Sequence, residues 1–265
     1  MKKAFVIGFP IAHSLSPQMH SFWLNKYGIE GSYEPLEVPA EYLAKTVKKL
    51  PETYIGGNVT IPHKEKALML CTAVEEMARE VGAVNTLAFE NGKIYGANTD
   101  VYGFTESLKA VNFKPTRALV VGAGGASRAI MVGLKQLGAK VYVTNRTMDT
   151  AQKFAKEFGA TAIEWNKKEG AMRDIDYVVN ATALGMKGKE RLDINLSGFT
   201  TSGLVHDIVY NPIETDFLRE AKELGIPTLD GLSMLMYQAA PGFEIWFGKR
   251  PEVNDELKEH LIKCL

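Results

Sequence analysis

The sequence predicts an α/β protein with mainly parallel sheets, and two observations carry this prediction. Strand-like and helix-like segments alternate along the whole chain, a pattern that is typical of βαβ units. One stretch, ALVVGAGGASRAIMVGLKQLGAKVYVTNRT, has the order strand, glycine turn, helix and strand. Its length of about 30 residues is what one βαβ unit requires, so we expect a doubly wound sheet around it.

The first part of the chain predicts shorter elements that follow one another closely. Apolar periodicity predicts strands at 4–8, 32–38 and 54–60, helices at 17–27 and 40–50, and then helical residues through about 82. The stretch NTLAFENGKIYGANTD predicts a β-hairpin whose tight turn is Asn91-Gly92, because this dipeptide suits a two-residue turn.

The second part of the chain continues the alternation. A helix is expected near 101–111, and KPTR forms a short loop into the βαβ unit. Strands at 176–181 and 204–209 extend the sheet of that unit, and residues 231–265 predict two helices. The sequence contains no internal repeat and no low-complexity stretch.

Composition and charge disfavour several classes of partner. The 265 residues allow one large domain or two of ordinary size, and 46% hydrophobic with 23% charged residues is ordinary for a globular protein. The 31 basic residues balance the 31 acidic ones. Without a field of one sign, binding to nucleic acid or to an anionic membrane surface is disfavoured.

The cysteines and the N-terminal segment favour a cytoplasmic location. Cys71 and Cys264 give neither a disulfide framework nor a metal-ligand spacing, so we expect two free thiols in a reducing compartment. The start, MKKAFVIGFP, contains Pro10 and lacks a small-x-small cleavage site, and it predicts a buried strand instead of a signal peptide. No apolar run is long enough to span a bilayer.

A glycine-rich turn in VVGAGGASRA predicts a dinucleotide site. Gly122, Gly124 and Ser127 occupy the three positions of G-x-G-x-x-G, with serine at the third. The turn follows an apolar strand and opens a helix, which is the context that this motif requires. Gly122 permits the tight turn, Gly124 lets the backbone approach a pyrophosphate, and the helix N-terminus offers free amides to it. The alternative is a glycine turn without a ligand.

The end of the next strand predicts NADP as the cofactor. An NAD site needs an acidic residue about 20 positions after the glycines, but Asn145, Arg146 and Thr147 stand at that place. A guanidinium is well suited to a 2′-phosphate, and Thr147 and Asn145 add a hydroxyl and an amide. The alternative is an ordinary surface arginine in a loop.

Several polar residues have both a structural and a functional interpretation. In HSLSP, Ser16 is expected as the N-cap of a helix that begins with a proline, while Ser14 and Ser16 together offer two hydroxyls that can hold a carboxylate. Asn85 and Asp100 lie at the two ends of the predicted hairpin. They are either turn and capping residues or part of a site with Lys64, the first lysine of NVTIPHKEKA.

A set of motifs resembles the shikimate dehydrogenase family in content and order. The motifs are SLSPQMH, NVTIPHKE, GAVNTL, GANTD, GAGGASRA, NRT, NATALGM, DIVYNP and GLSMLMYQA, and they extend from near residue 14 to near residue 240. Most are weak singly, but jointly they are specific. Ala183 stands where the family usually has serine, and Ser21 where it usually has asparagine. Ala183 is expected to alter the loop near the nicotinamide, and Ser21 to matter little.

The resemblance implies two domains and the residues of both ligand sites. Residues 1–100 and 236–265 would form an α/β substrate-binding domain on which the C-terminal helices pack, and residues 101–235 a Rossmann-like NADP domain, with the active site in the cleft between them. Lys64 and Asp100 would be catalytic. The substrate-binding residues would be Ser14, Ser16, Thr60, Lys64, Asn85, Asp100, Tyr210 and Gln238. The cofactor-binding residues would be Gly122, Ala123, Gly124, Gly125, Ala126, Asn145, Arg146, Thr147, Met148, Asp149, Thr150, Ile208 and Gly231.

The resemblance also implies the reaction, a reversible hydride transfer between NADPH and C3 of 3-dehydroshikimate that yields shikimate for aromatic amino acid biosynthesis. Negative charge grows on the carbonyl oxygen as the hydride arrives, and a cation that also donates a proton stabilises it. Lys64 would be this acid toward the ketone and the base for alcohol oxidation, while Asp100 would orient it and favour its charged form. No metal is required, and the protein would be a monomer or a homodimer.

The sequence is compatible with two other functions. A quinate/shikimate dehydrogenase of looser specificity would more often accept NAD through an acidic residue, and Arg146 argues against that. A binding or sensor module on the same scaffold would have no need of Lys64 and Asp100 together.

Overall fold

The computed structural model describes all 265 residues, and the chain forms two compact units. The first unit contains Met1–Asp100 and Met236–Cys264, and the second contains Val101–Leu235 with Leu265. Both units are layers of helices on a sheet, which confirms the predicted α/β class. None of the helices combines the length and the hydropathy that crossing a bilayer requires.

Twelve strands and eleven helices follow one another along the chain. The strands are β1 (Lys2–Gly8), β2 (Gly31–Glu37), β3 (Gly56–Val59), β4 (Ala73–Val74), β5 (Thr86–Glu90), β6 (Lys93–Ala97), β7 (Arg117–Val121), β8 (Lys140–Thr144), β9 (Thr161–Ile163), β10 (Tyr177–Asn180), β11 (Leu204–Asp207) and β12 (Thr228–Leu229). The helices are α1 (Ser16–Lys26), α2 (Leu43–Val47), α3 (Lys64–Leu68), α4 (Glu76–Val81), α5 (Asp100–Ala110), α6 (Gly125–Gln136), α7 (Met148–Phe158), α8 (Lys168–Ala171), α9 (Asp216–Glu223), α10 (Gly231–Phe247) and α11 (Asp255–Ile262).

The first unit is built on a mixed sheet with the strand order β2-β1-β3-β5-β6-β4. Strand β1 pairs in parallel with β2 and β3, and β3, β5 and β6 pair antiparallel in turn. The predicted hairpin is confirmed as β5 and β6. Its turn residues Asn91 and Gly92 have φ angles of 50° and 73°, the left-handed conformation that a two-residue hairpin turn requires at both positions.

The helical stretch expected up to residue 82 is wrong in its middle, because β4 separates α3 from α4. The amide of Thr72 donates to Ile94 O at 2.8 Å, and the amide of Ile94 donates to Thr72 Oγ1 at 3.1 Å. These bonds attach the segment to β6, and such long-range pairing has no signature in local periodicity. The helix expected at 40–50 is also shorter, since α2 ends at Val47 and a 3₁₀ turn follows.

The second unit has the all-parallel strand order β12-β11-β10-β7-β8-β9. Alternate residues of β7 enter two different hydrophobic clusters: Ala118 and Val120 one, Leu119 and Val121 the other. Because successive side chains of a strand point to opposite faces, the sheet is covered on both faces, as a doubly wound fold requires.

The C-terminal helices pack on the sheet of the first unit, as the resemblance implies. The indole Nε1 of Trp246 in α10 donates to Leu87 O in β5 at 2.8 Å. The indole Nε1 of Trp23 in α1 donates to Glu252 O, just before α11, at 3.1 Å. Phe243 packs edge-on against Trp23, with ring centroids 5.4 Å apart. These buried aromatic contacts join the end of the chain to its beginning within one unit.

Candidate functional site

Two oppositely charged side chains meet at the starts of two helices in the first unit. Lys64 is the first residue of α3, and Asp100 is the first residue of α5. Lys64 Nζ lies 2.6 Å from Asp100 Oδ2, and the two side chains are only 16% and 7% exposed. The N-terminus of α5 favours a carboxylate through the helix dipole. Lys64 is therefore a positioned, largely desolvated ammonium and not an ordinary surface lysine.

The amide of Asn85 connects this pair to α10. Its Nδ2 donates to Asp100 Oδ1 at 2.9 Å and lies 3.2 Å from Gln238 Oε1, and its Oδ1 accepts from the Thr99 amide at 2.8 Å. Because a backbone N–H can only donate, the Thr99 contact fixes the orientation of the amide. The structure thus brings four predicted residues into direct contact: Lys64, Asn85, Asp100 and Gln238.

Ser14 and Ser16 lie together at the start of α1, but the capping interpretation of Ser16 is wrong. Helix α1 begins at Ser16 itself, and its N-cap residue Leu15 makes no side-chain capping bond. Ser14 Oγ accepts from the Ser16 amide at 3.3 Å, whereas the buried Ser16 side chain lies beside the Tyr33 hydroxyl. The Ser16 hydroxyl therefore lies toward the neighbouring strand β2 and not at the N-cap position of α1.

Two buried polar residues that the sequence analysis does not predict link these groups. The Tyr33 hydroxyl donates to Asn58 Oδ1 at 2.6 Å, and Asn58 Nδ2 donates to Asn85 O at 3.1 Å. Burial raises the pKa of Tyr33 well above its usual value, so the hydroxyl stays a neutral donor. The sequence did contain a signal for Asn58: a polar side chain inside the buried strand GGNV needs a hydrogen-bond partner.

Thr60, the predicted substrate-binding residue directly after β3, is half-buried.

The predicted dinucleotide turn lies in the second unit. Its residues, Gly122, Ala123, Gly124, Gly125 and Ala126, connect β7 to the first turn of α6. Gly122 has φ +107°, which favours glycine, and a Cβ there would lie 2.6 Å from Thr182 Cγ2. A Cβ at Gly124 or Gly125 would meet no atom within 4 Å. The first amides of α6 have no partner within the helix. These free donors therefore face the open space beside Gly124 and Gly125. A pyrophosphate fits this turn.

The loop after β8 presents Arg146 to solvent. Asn145, Arg146 and Thr147 connect β8 to α7, and Met148, Asp149 and Thr150 form the first turn of that helix. Asn145 Nδ2 donates to Thr147 O at 3.2 Å, which tightens the loop. The Arg146 side chain is 68% exposed, and its Nη1 lies 4.0 Å from Glu190 Oε2. An exposed ion pair of this length is weak, so the guanidinium can move to an anionic ligand.

The remaining predicted residues follow β11 or begin α10. Ile208 directly follows β11, and a Cβ at Gly231 would lie only 2.2 Å from Ile208 O. The two backbones approach as closely as glycine alone permits. Tyr210 is half-buried two residues after Ile208. Apart from Tyr210, the predicted substrate-binding residues belong to the first unit, and all predicted cofactor-binding residues belong to the second.

Known proteins match this chain over nearly its whole length. Three domain-family models match: the shikimate dehydrogenase substrate binding domain at residues 6–87, shikimate / quinate 5-dehydrogenase at 105–188, and the shikimate 5′-dehydrogenase C-terminal domain at 231–255. The chain is 46% identical over 271 residues to the shikimate dehydrogenase (NADP(+)) of Brucella abortus strain S19, with 98% of this chain and 94% of that protein covered.

Two solved structures extend the comparison to three dimensions. The structure is similar to shikimate 5-dehydrogenase from Thermus thermophilus in complex with NADP(H) and shikimate, with a TM-score of 0.92, 40% identity and 100% of both chains covered. It is also similar to quinate dehydrogenase from Corynebacterium glutamicum in complex with NAD, with a TM-score of 0.90, 30% identity and 99% of both chains covered. On these matches, the chain belongs to the shikimate dehydrogenase family.

Proposed function

We propose that this protein catalyses the reversible, NADP-dependent reduction of 3-dehydroshikimate to shikimate in aromatic amino acid biosynthesis. The observation that carries the proposal is the Lys64–Asp100 pair at 2.6 Å, held by the Asn85 amide at 2.9 Å from Asp100. The name of the Brucella relative and the ligands of the Thermus structure support this substrate and this cofactor. The protein would act in the cytoplasm as a monomer or a homodimer.

We assign the substrate to the first unit and the cofactor to the second. The substrate-binding-domain model matches residues 6–87, all within the first unit. The open glycine turn and Arg146 both belong to the second unit. The domains of the enzyme are accordingly 1–100 with 236–265 for the substrate, and 101–235 for NADP.

Lys64 acts on the oxygen of the ketone. When bound, NADPH supplies the hydride, and negative charge then grows on the ketone oxygen. Lys64 Nζ donates a hydrogen bond to that oxygen and passes a proton to it. General acid catalysis of this kind raises the rate about 10²–10⁴-fold. Asp100 keeps the ammonium in position by accepting from it at 2.6 Å. In the direction of alcohol oxidation, the neutral Lys64 amine takes the proton.

Polar side chains around the pair bind the rest of the substrate. Ring hydroxyls both donate and accept, so they suit the amides of Asn85 and Gln238 and the hydroxyl of Thr60, with Tyr210 as a further contact. Ser14 and Ser16 donate to the carboxylate. Ser16 must then turn its hydroxyl away from its present neutral neighbour, which is favourable because a hydrogen bond to a charged acceptor is the stronger one.

The second unit holds the cofactor through its backbone and one cation. The amides at the start of α6 bind the pyrophosphate in the open space beside Gly124 and Gly125. Arg146 binds the 2′-phosphate with Asn145 and Thr147 beside it, and Met148, Asp149 and Thr150 continue this segment. Ile208 and Gly231 line the cofactor where their backbones meet.

A turnover assay with two substrates and two cofactors tests the proposal. Purified protein is incubated with shikimate or quinate and with NADP or NAD, and the reduced cofactor is measured. We expect the highest kcat/KM with shikimate and NADP. The similarity to a quinate dehydrogenase in complex with NAD favours one second candidate, a quinate/shikimate dehydrogenase, which would show comparable kcat/KM values for quinate or NAD. Binding of both ligands without turnover would identify a sensor and overturn the proposal.

A further inference from the structure

A buried carboxylate lies under two loops of the second unit, and the proposed mechanism does not use it. Asp207 is the last residue of β11 and is 0% exposed. It accepts hydrogen bonds from Asn180 Nδ2 at 3.0 Å, the Val209 amide at 3.0 Å and Thr215 Oγ1 at 2.6 Å. None of these partners is a cation, so burial dominates and raises the pKa of Asp207 to about 6. A carboxylate in such surroundings is costly to the fold.

The side chain of Asn180 connects Asp207 to the loop 181–188 through hydrogen bonds on both sides. Its Nδ2 also donates to Leu184 O at 2.9 Å. Its Oδ1 accepts from the Thr182 amide at 3.1 Å and from Thr182 Oγ1 at 2.7 Å. The Thr182 amide can only donate, so it fixes the Asn180 amide oxygen toward Thr182 and the NH₂ group toward its two acceptors, Leu184 O and Asp207 Oδ1. Asp207 therefore supports the side chain that holds the loop 181–188.

The two loops held by Asp207 border the dinucleotide turn. Thr182 Cγ2 would lie 2.6 Å from a Cβ at Gly122, so the loop 181–188 packs directly against that turn. The Val209 amide that donates to Asp207 fixes the segment 208–210, and Ile208 O in this segment contacts Gly231. Both loops thus reach positions that the proposed function assigns to the cofactor.

We propose that Asp207 is a positioning residue for NADP: its carboxylate holds the loop 181–188 and the segment 208–210 in the arrangement that accepts the cofactor. The inference rests on the proposed function for the identity of this ligand. Without the carboxylate, three buried donors lose their acceptor, and the Asn180 side chain that bonds Thr182 and Leu184 loses one of its supports.

Three variants separate a positioning role from a general loss of stability. Asp207→Ala removes both acceptor oxygens, and Asp207→Asn keeps one oxygen for Asn180 and Val209. Tyr177→Phe is the matched control, because the Tyr177 hydroxyl is buried and lies 2.6 Å from His206 Nδ1 on the same two strands. The dissociation constant for NADP is measured by calorimetry, and amide hydrogen exchange of residues 181–188 is followed in the ligand-free protein.

We expect Asp207→Ala to raise the NADP dissociation constant about tenfold or more, the effect of losing one or two hydrogen bonds, and to accelerate exchange at 181–188. Asp207→Asn should lie between this variant and the wild type. Tyr177→Phe should lower the melting temperature and leave the dissociation constant within about twofold. Partial rescue by asparagine, together with the unchanged control, identifies positioning.

The inference is overturned if Asp207→Ala binds NADP as the wild type does, if Tyr177→Phe weakens binding equally, or if asparagine rescues nothing. Should Asp207→Ala not fold, Asp207→Ser, whose shorter side chain does not reach Asn180, replaces it, and NADP binding within about twofold of the wild type then overturns the inference. Turnover of the wild type is measured separately. A wild type that binds NADP but does not oxidise shikimate contradicts the proposed function and leaves the test of Asp207 intact.

Discussion

At the scale of single residues, Lys64 and Lys66 show how position decides the chemistry of a side chain. Both belong to α3, but Lys66 is exposed while the side chain of Lys64 is 16% exposed and contacts Asp100. An exposed ammonium is hydrated and carries little catalytic value. A desolvated ammonium with a fixed direction can stabilise charge that develops beside it.

Replacing Lys64 by alanine tests its role as the proton donor. Because general acid catalysis is worth about 10²–10⁴-fold, kcat should fall by that factor while shikimate and NADP still bind. Asp100→Asn should also lower kcat, and the double variant should lose less than the product of the two effects, since the residues act as one unit. Lys66→Ala is the matched control and should retain the wild-type kcat. A Lys64→Ala enzyme within about threefold of the wild type would contradict the mechanism.

Arg146→Ala tests the choice of cofactor. Losing a hydrogen bond to a charged phosphate costs about 1.5–3 kcal/mol, so the dissociation constant for NADP should rise about 10- to 150-fold. The constant for NAD, which lacks this phosphate, should hardly change. Arg173→Ala removes another exposed arginine of the second unit and should change neither constant. Equal losses for NADP and NAD after Arg146→Ala would count against the assignment.

At the scale of elements, the connection between β7 and α6 depends on one glycine for two separate reasons. Gly122 has φ +107°, and the space where a Cβ would stand is occupied by Thr182 Cγ2. Gly138, after the end of α6, has φ +80° but nothing within 4 Å of a Cβ. At both positions the backbone conformation would strain an alanine. Only at Gly122 would the added Cβ also overlap with a neighbouring loop.

Gly122→Ala and Gly138→Ala therefore form a matched pair. Gly138→Ala should lower the free energy of unfolding by about 1–2 kcal/mol, the cost of a left-handed alanine. Gly122→Ala should lower it by more, because the overlap with Thr182 adds to this cost. Only Gly122→Ala should also weaken NADP binding, by about tenfold or more, because the displaced Thr182 methyl disturbs the turn. Urea unfolding and NADP titration of both variants measure the two effects. Equal NADP affinities in the pair would show that the close approach at Gly122 is irrelevant to the cofactor.

At the scale of the whole molecule, each unit encloses a histidine that burial keeps neutral. His20 in the first unit stacks on Tyr33 with ring centroids 3.9 Å apart, and His206 lies in the second unit. Burial lowers the pKa of both imidazoles to about 3. A buried histidine with a lowered pKa does not reduce the free energy of unfolding above pH 6.5. Below pH 6.5 this free energy falls as the pH approaches 3, because the unfolded chain binds a proton that the folded protein does not. Asp207, whose pKa is raised to about 6, acts in the opposite sense.

The balance of these groups predicts loss of stability in mild acid. From pH 7 to pH 5, each histidine lowers the free energy of unfolding by about 2 kcal/mol and Asp207 raises it by about 1 kcal/mol, so the histidines prevail. His20→Phe should make the protein about 2 kcal/mol less sensitive to this change. His13→Phe changes an exposed histidine and should not alter the sensitivity. Urea unfolding at pH 7 and pH 5 measures it, and equal sensitivities in wild type and His20→Phe would refute the contribution of His20.

The sequence by itself determined the α/β class, the order of most elements, the hairpin turn at Asn91-Gly92 and the membership of the family. These features depend on local information: apolar periodicity, turn chemistry and short motifs within about 30 residues. The glycine turn belongs to the same group, since its strand and helix are adjacent in the chain. The roles of Lys64, Asp100 and the other site residues stay predictions that the variants above test.

The tertiary structure alone decided which polar groups became partners. Tyr33 hydrogen-bonds Asn58, Asn58 reaches Asn85, and Asp207 accepts from Asn180 on the neighbouring strand. It also decided that β4 interrupts the helices before residue 82. Each outcome depends on which strands become neighbours, and burial makes most polar groups hydrogen-bond to a partner among those neighbours. Local periodicity cannot contain this choice, because the partners stand about 15 to 30 positions apart and meet only after the sheet has formed.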